Sequence, residues 1–356
     1  MSQTVATLFT EDPTASDPVR TEHIGELESV IALAREEGRR EGTYWRPDHA
    51  SVLAFARSQG RLRRRVMQSL GLPLPRSIAA HPSGDARHQQ LGEDEIATYS
   101  RAWFPVLPGL HAVGLLIVPH EVQEPAPLVV ALHGGSGSPE IATFVQANYF
   151  DMVRGAVARG CITWVPTLSF LAPGYGDDIR VRLDSRARRA GTTLTALELV
   201  MLRRSLDWVL RRPDIDASRV AAIGCSYGGF YASLLAALDH RVGVTVASCS
   251  FMSRETIVGA HEPYGWLDWV FAGGETWMRD PELMALICPR PLMLQNGQAD
   301  ELFPVQAARD CVGAVGRHYD RLGMGDRFSF VDFEGGHEWN DASAWPFIER
   351  HLLDNV

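Results

Sequence analysis

Pairable cysteines are missing from this chain. It has five (Cys161, Cys225, Cys249, Cys288 and Cys311), an odd number, widely spaced and without a C-x-x-C pair, so no disulfide framework or cysteine-based metal motif is indicated. Most lie in apolar, strand-like runs, where cysteine serves as a small buried hydrophobe, and that usage favours a reducing compartment. An excess of positive charge is missing as well. With 34 Lys and Arg against 43 Asp and Glu, the formal net charge is −9, which argues against nucleic acid or an anionic membrane as the main partner. The one basic cluster, R-L-R-R-R from Arg61 to Arg65, falls in a helical stretch and reads as a solvated face. No apolar run approaches the roughly 18 residues of a membrane span, and the first twenty residues lack the basic and apolar segments of a secretory signal. The expectation is a cytoplasmic protein with no membrane attachment.

What is present is a chain of 356 residues with 46% hydrophobic and 22% charged residues, enough for one large α/β domain with an extension. Residues 1–94 read as a polar tail and a helical extension. Ile24, Leu27, Ile31 and Leu33 fall near one face of a first helix, a second helical segment ends at Gly71-Leu72-Pro73, and residues 73–93, rich in Pro, Gly and His, read as a linker. Residues 95–356 have a different grammar. Two strands joined by a Pro-Gly turn come first (about 97–119), then short apolar runs at 127–133, 161–166, 219–225, 242–249, 291–295 and 327–333, separated by amphipathic stretches. Continuous rather than alternating apolar strands, spaced by helices, predict a mostly parallel central sheet with helices on both faces. The interval 250–288 is long and aromatic and breaks the rhythm; it reads as a cap-like excursion.

Four loops carry the chemistry. G-C-S-Y-G-G, Gly224 to Gly229, directly follows an apolar strand and directly precedes a helix. A serine hydroxyl is a weak nucleophile and must be presented beside a base; a sharp strand-to-helix turn flanked by glycine presents Ser226 in that way. A-L-H-G-G-S-G-S, Ala131 to Ser138, ends an earlier strand and supplies backbone amides for a developing oxyanion. The expected donors are Tyr227, just after the nucleophile, and Gly135, with Ser136 as the near alternative; His133 is expected to hold the loop by a side-chain hydrogen bond. Asp300 lies in the loop after the strand P-L-M-L, with Glu301 as its adjacent competitor and a turn aspartate or helix N-cap as the plain reading. His337 follows the last strand in F-E-G-G-H-E-W-N. The order Ser226, Asp300, His337 is that of the α/β-hydrolases.

On these residues the stretch from about 95 to 354 resembles the dienelactone hydrolase-like and acetylxylan-esterase-like branch of the α/β-hydrolases, related to the catalytic domain of prolyl oligopeptidases. The elements that carry it are L-H-G-G-S-G-S, D-I-D-A-S-R-V-A-A-I-G-C-S-Y-G-G, C-P-R-P-L-M-L-Q-N-G-Q-A-D-E-L-F-P and E-G-G-H-E-W. The resemblance implies a carboxylic ester hydrolase with no metal or organic cofactor, acting on a small-molecule ester. It gives Ser226, Asp300 and His337 the roles of nucleophile, acid and base. Dienelactone hydrolases proper use cysteine as nucleophile, so the serine here points away from that substrate. Tyr264, Trp266, Trp269, Trp277 and Trp339 are expected to form an aromatic wall for substrate, with Tyr175, Asp177 and Asp178 on its rim. The rival readings are a prolyl-oligopeptidase-like peptidase or amidase, for which about 95 N-terminal residues are too few to build a gating propeller, and a non-catalytic binding protein. The helical arm reads as packing, lid or homo-oligomer contact.

Overall fold

In a computed structural model of the chain the described residues are 12, 14–40, 44–122, 125–170, 174, 178–253 and 274–354. The apolar run Ala126–Leu132 (β4) is buried at all seven positions. Alternating burial would mean one wet face; burial on both means a strand inside a sheet with helices on each side. The described sheet has nine strands: β1 (Arg87–Glu93), β2 (Ala97–Leu107), β3 (Leu110–Pro119), β4, β5 (Ile162–Pro166), β6 (Ile215–Cys225), β7 (Val244–Ser248), β8 (Leu292–Gly297) and β9 (Phe328–Phe333). Their spatial order is β1-β2-β3-β5-β4-β6-β7-β8-β9. β1, β2, β3 and β5 pair antiparallel in succession, and from β5 through β4 to β9 every pairing is parallel.

β1 lies within the stretch read from sequence as a linker. Its residues, R-H-Q-Q-L-G-E, are all exposed, and its register breaks between Gln90 and Gly92. A polar, bulged strand at a sheet edge resists pairing with another chain, and the same polarity hides it from an apolar-pattern reading.

Each sheet face carries its own core. One is formed with α2 (Val52–Ser69) and the helices Leu194–Val209, Tyr227–Leu238 and Val305–Arg321; the other with the helices Met152–Ala158 and Asp341–Ile348. The second N-terminal helix is part of the first core. Phe55, Leu62 and Val66 of α2 are fully buried, each contributing about 1.5–3 kcal/mol by leaving water. On the same helix Gln59 Nε2 donates to the carbonyls of Ala285 and Cys288 at 2.7 Å. The first helix, α1 (Asp17–Arg40), behaves differently. Its predicted face, Ile24, Leu27, Ile31 and Leu33, is 47–65% exposed, while its C-terminal end meets the helix Gly274–Trp277, where a Cβ on Gly38 would lie 2.5 Å from Thr276 Cβ.

All five thiols are free and four are buried. Burial pushes Cys161 and Cys288 up to about 12 and Cys311 up to about 11, so these are inert packing groups. Among the described residues no helix is long and apolar enough to cross a membrane.

Candidate active site

β6 ends at Cys225, and the chain turns at once into the helix Tyr227–Leu238. Ser226 makes that turn with φ 59° and ψ −125°, a conformation that costs a side-chain-bearing residue about 1–3 kcal/mol and persists only where the surroundings over-determine it. Here its amide donates to the Ser248 carbonyl at 2.9 Å and its carbonyl accepts from Phe230 at 3.0 Å. The flanking glycines are steric necessities. A Cβ on Gly224 would sit 2.3 Å from the Gly228 carbonyl carbon, and one on Gly228 only 1.8 Å from the Leu132 carbonyl oxygen.

Asp300 and His337, 37 residues apart in sequence, meet at the ends of β8 and β9. His337 Nδ1 lies 2.9 Å from Asp300 Oδ2. The other carboxylate oxygen accepts the amides of Leu302 and Phe303, each at 2.9 Å, so Asp300 holds its own turn, not the N-terminus of the helix Val305–Arg321, and the turn contacts and the histidine contact use different oxygens of one group. Burial raises the carboxyl's pKa, but the hydrogen bond and charge of His337, followed by the Phe303 amide, outweigh it and hold Asp300 below its ordinary value. Phe303 also stacks on the imidazole, with centroids 5.4 Å apart and planes at 19°. Glu301, the sequence competitor, is exposed.

The Ser226 turn and the His337 loop converge on the end of β7. Ser248 accepts the Ser226 amide through its carbonyl and donates its hydroxyl to the Glu338 carbonyl at 2.7 Å. Cys249 adds a weaker contact from its thiol to the same carbonyl at 3.4 Å. Cys249, Asp300 and His337 hold one potential ligand atom each within 4.8 Å of one another. That set could grip a thiophilic cation. Yet with the His337–Asp300 contact made, the arrangement is that of a carboxylate-oriented imidazole.

On the opposite side stands the glycine-rich loop. His133 is wholly buried; its Nδ1–H donates to the Gly134 carbonyl at 2.9 Å and its Nε2 accepts the Leu168 amide at 2.9 Å. The Gly134 amide donates to the Tyr149 hydroxyl at 2.8 Å. Gly135 is exposed, and a Cβ there would make ordinary contacts with the rings of Tyr227 and Phe170 at 3.5 and 3.6 Å. Those two rings pack edge to face, 4.6 Å between centroids. Behind them Arg180, its guanidinium 4.3 Å from the Phe170 ring centroid, pairs through both nitrogens with buried Glu198 at 3.1 and 2.9 Å.

The expected aromatic wall fares differently. Trp339 is a correction: it is 1% exposed, donates its indole N–H to Asp341 at 2.8 Å and packs edge-on to Trp345, so it is a core side chain. Trp277 is likewise buried. Asp178 is paired with Arg182 at 3.1 Å on an exposed surface. Tyr264, Trp266 and Trp269, with Tyr175 and Asp177, lie outside the described residues. Sequence reasoning missed the roles of Phe303, Ser248, Cys249, Asn148 and Tyr149; Phe303 stands in the quoted stretch that holds Asp300, but only tertiary contact places it against His337, and the other four stand in no motif.

No known family profile matches the chain. YtaP of Bacillus subtilis, which carries only the provisional name of a hydrolase, is 28% identical over 241 residues, 64% of this chain and 78% of that one. Among solved structures, a Bacteroides fragilis protein provisionally named an acetyl xylan esterase superposes with a TM-score of 0.67 at 15% identity, covering 91% of this chain and 89% of its own. A glucuronoyl esterase from Solibacter usitatus gives 0.59 at 15%, covering 86% and 97%. With the strand order above, these decide the fold. The chain has the α/β-hydrolase fold. The α/β-hydrolase sheet places Ser226, Asp300 and His337 each just beyond the C-terminal end of a strand, as in ligand sites of open parallel sheets generally, and the extra antiparallel strand β1 is added at its N-terminal edge.

Proposed function

We propose that the chain is a serine-dependent carboxylic ester hydrolase working through an acyl-enzyme. The observation that carries this reading is the contact of His337 Nδ1 with Asp300 Oδ2: with Nδ1 bearing the proton, Nε2 is the basic nitrogen, in a loop fastened to the residue that also holds the Ser226 turn. His337 removes the Ser226 proton as Oγ adds to the ester carbonyl, and Asp300 stabilises the resulting imidazolium. The oxyanion is received by the amides of Gly135 and Tyr227; the neighbouring Gly134 amide is taken by Tyr149, which supports Gly135 as the donor on that side. The imidazolium then protonates the leaving alcohol. Water, deprotonated by His337, adds to the acyl-enzyme and releases the acid and free serine.

Small acyl groups, acetyl or similar, borne on a carbohydrate are the proposed substrates, since one similar structure above carries the provisional name of an acetyl xylan esterase. Ser226→Ala is expected to abolish turnover of p-nitrophenyl acetate with an unchanged circular dichroism spectrum. Retained turnover in that variant overturns the assignment. Matched ester and anilide substrates separate this reading from the peptidase one: the ester is expected to be cleaved and the anilide not.

A further inference from the structure

Among the described residues six that are not glycine hold a positive φ: Ser136, Gln146, Ala147, Phe150, Ser226 and Cys249. Ser226 is the proposed nucleophile, Ser136 lies in the glycine-rich loop, and Cys249 lies beside Asp300 and His337. The remaining three crowd into five consecutive residues, Gln146 to Phe150, with φ of 66°, 40° and 45°, and the mechanism above assigns this turn nothing. Such strain survives only where neighbouring contacts impose it, and the contacts made by this turn are specific.

Its two middle residues face the two halves of the site. Asn148 grips the histidine loop twice: its side-chain amide donates to the His337 carbonyl at 3.1 Å, and its backbone carbonyl accepts the Trp339 amide at 2.9 Å. Tyr149, next in sequence, grips the glycine-rich loop, its hydroxyl accepting the Gly134 amide at 2.8 Å. The loop's glycines make room for that phenol. A Cβ on Gly137 would fall 2.3 Å from the Tyr149 oxygen, and one on Gly134 would fall 3.3 Å from it and 3.0 Å from Ser226 Cβ.

We infer that Asn148 and Tyr149 are positioning residues: one strained turn that sets the base-bearing loop and the oxyanion loop in register with each other. The inference rests on the serine-hydrolase reading. A single rigid dipeptide spanning both loops fixes their separation, whereas two independent anchors would let it drift. Displacement of either loop by about 1 Å is enough to lose about 100-fold in rate.

The test is steady-state hydrolysis of p-nitrophenyl acetate by the full chain, normalised to active sites titrated with a fluorophosphonate, for Tyr149→Phe and Asn148→Asp. Each substitution keeps the side chain's volume and removes one hydrogen-bonding function. Expected is a fall in kcat per titrated site of about 10- to 100-fold, with KM within about twofold, since alignment is realised in the transition state. A purely structural turn would lower the melting temperature and the titratable fraction while leaving kcat per titrated site unchanged, and that result overturns the inference. Should Asn148→Asp not fold, Asn148→Ala reads the same quantity. Failure of the underlying reading looks different, because wild-type Ser226 would then not take up the fluorophosphonate.

Discussion

Acidification should loosen this protein through one buried imidazole. His133 is wholly buried, its Nδ1–H is given to the Gly134 carbonyl, and its Nε2 is occupied by the Leu168 amide. A second proton would have to sit on Nε2, facing another N–H. Burial is the main cause of a pKa lowered from 6.5 to about 4, against smaller opposing contributions from the Gly134 carbonyl and Glu198. Because the folded pKa is depressed, the unfolded chain binds more protons than the folded one between about pH 6.5 and pH 4, so stability falls as pH falls through that window. From pH 7 to pH 5 the unfolded imidazole becomes almost fully protonated while the folded one stays neutral, a loss of about 2 kcal/mol. That is a large share of a typical domain's 5–15 kcal/mol. Urea unfolding followed by tryptophan fluorescence at pH 7, 6 and 5 measures it. The wild type is expected to lose about 2 kcal/mol more over that range than His133→Gln, whatever the variant's stability at pH 7. Parallel curves for the two proteins would refute the reasoning.

Three further outcomes follow from the same contacts. Asp300→Asn retains an Oδ1 acceptor for the Leu302 and Phe303 amides but removes the charge facing His337. It should therefore lower kcat roughly 10³- to 10⁴-fold with a native melting curve; a loss under tenfold would remove Asp300 from the mechanism. Gly228→Ala should yield no soluble folded protein, since its Cβ would meet a backbone oxygen at 1.8 Å, whereas Gly135→Ala meets only ordinary ring contacts and should melt near the wild type. Equal melting temperatures for the two would contradict the geometry of the turn. Arg180→Met leaves the Glu198 carboxylate buried with the Ser169 amide and the Tyr231 hydroxyl as neighbours, at an expected cost of about 3–5 kcal/mol in urea unfolding; a cost near zero would mean that Glu198 is protonated in the fold.

The parallel sheet and the order of the candidate-site loops are legible in the sequence alone. The continuous apolar runs became β4 to β8 because a strand buried on both faces has no polar side to show, whereas β9 at the sheet edge is only half-buried. Gly224 and Gly228 were legible because a strand-to-helix turn this tight leaves space for hydrogen alone. Asp300 and His337 were legible by position, each just past a strand. Edge strand β1 was not, because an exposed edge is selected for polarity and leaves no apolar pattern. Trp339 shows the opposite failure: an aromatic two residues from His337 in sequence turns its indole into the core and bonds Asp341 there. Only the tertiary structure decided which side chains support the site. Phe303 beneath the imidazole, Ser248 joining the Ser226 turn to the histidine loop, and Asn148 and Tyr149 bridging two loops all act between separate segments, Asn148 and the Trp339 it holds being 191 residues apart. Motif spacing encodes what one segment must do by itself; a contact between distant segments exists only once the sheet has brought them together.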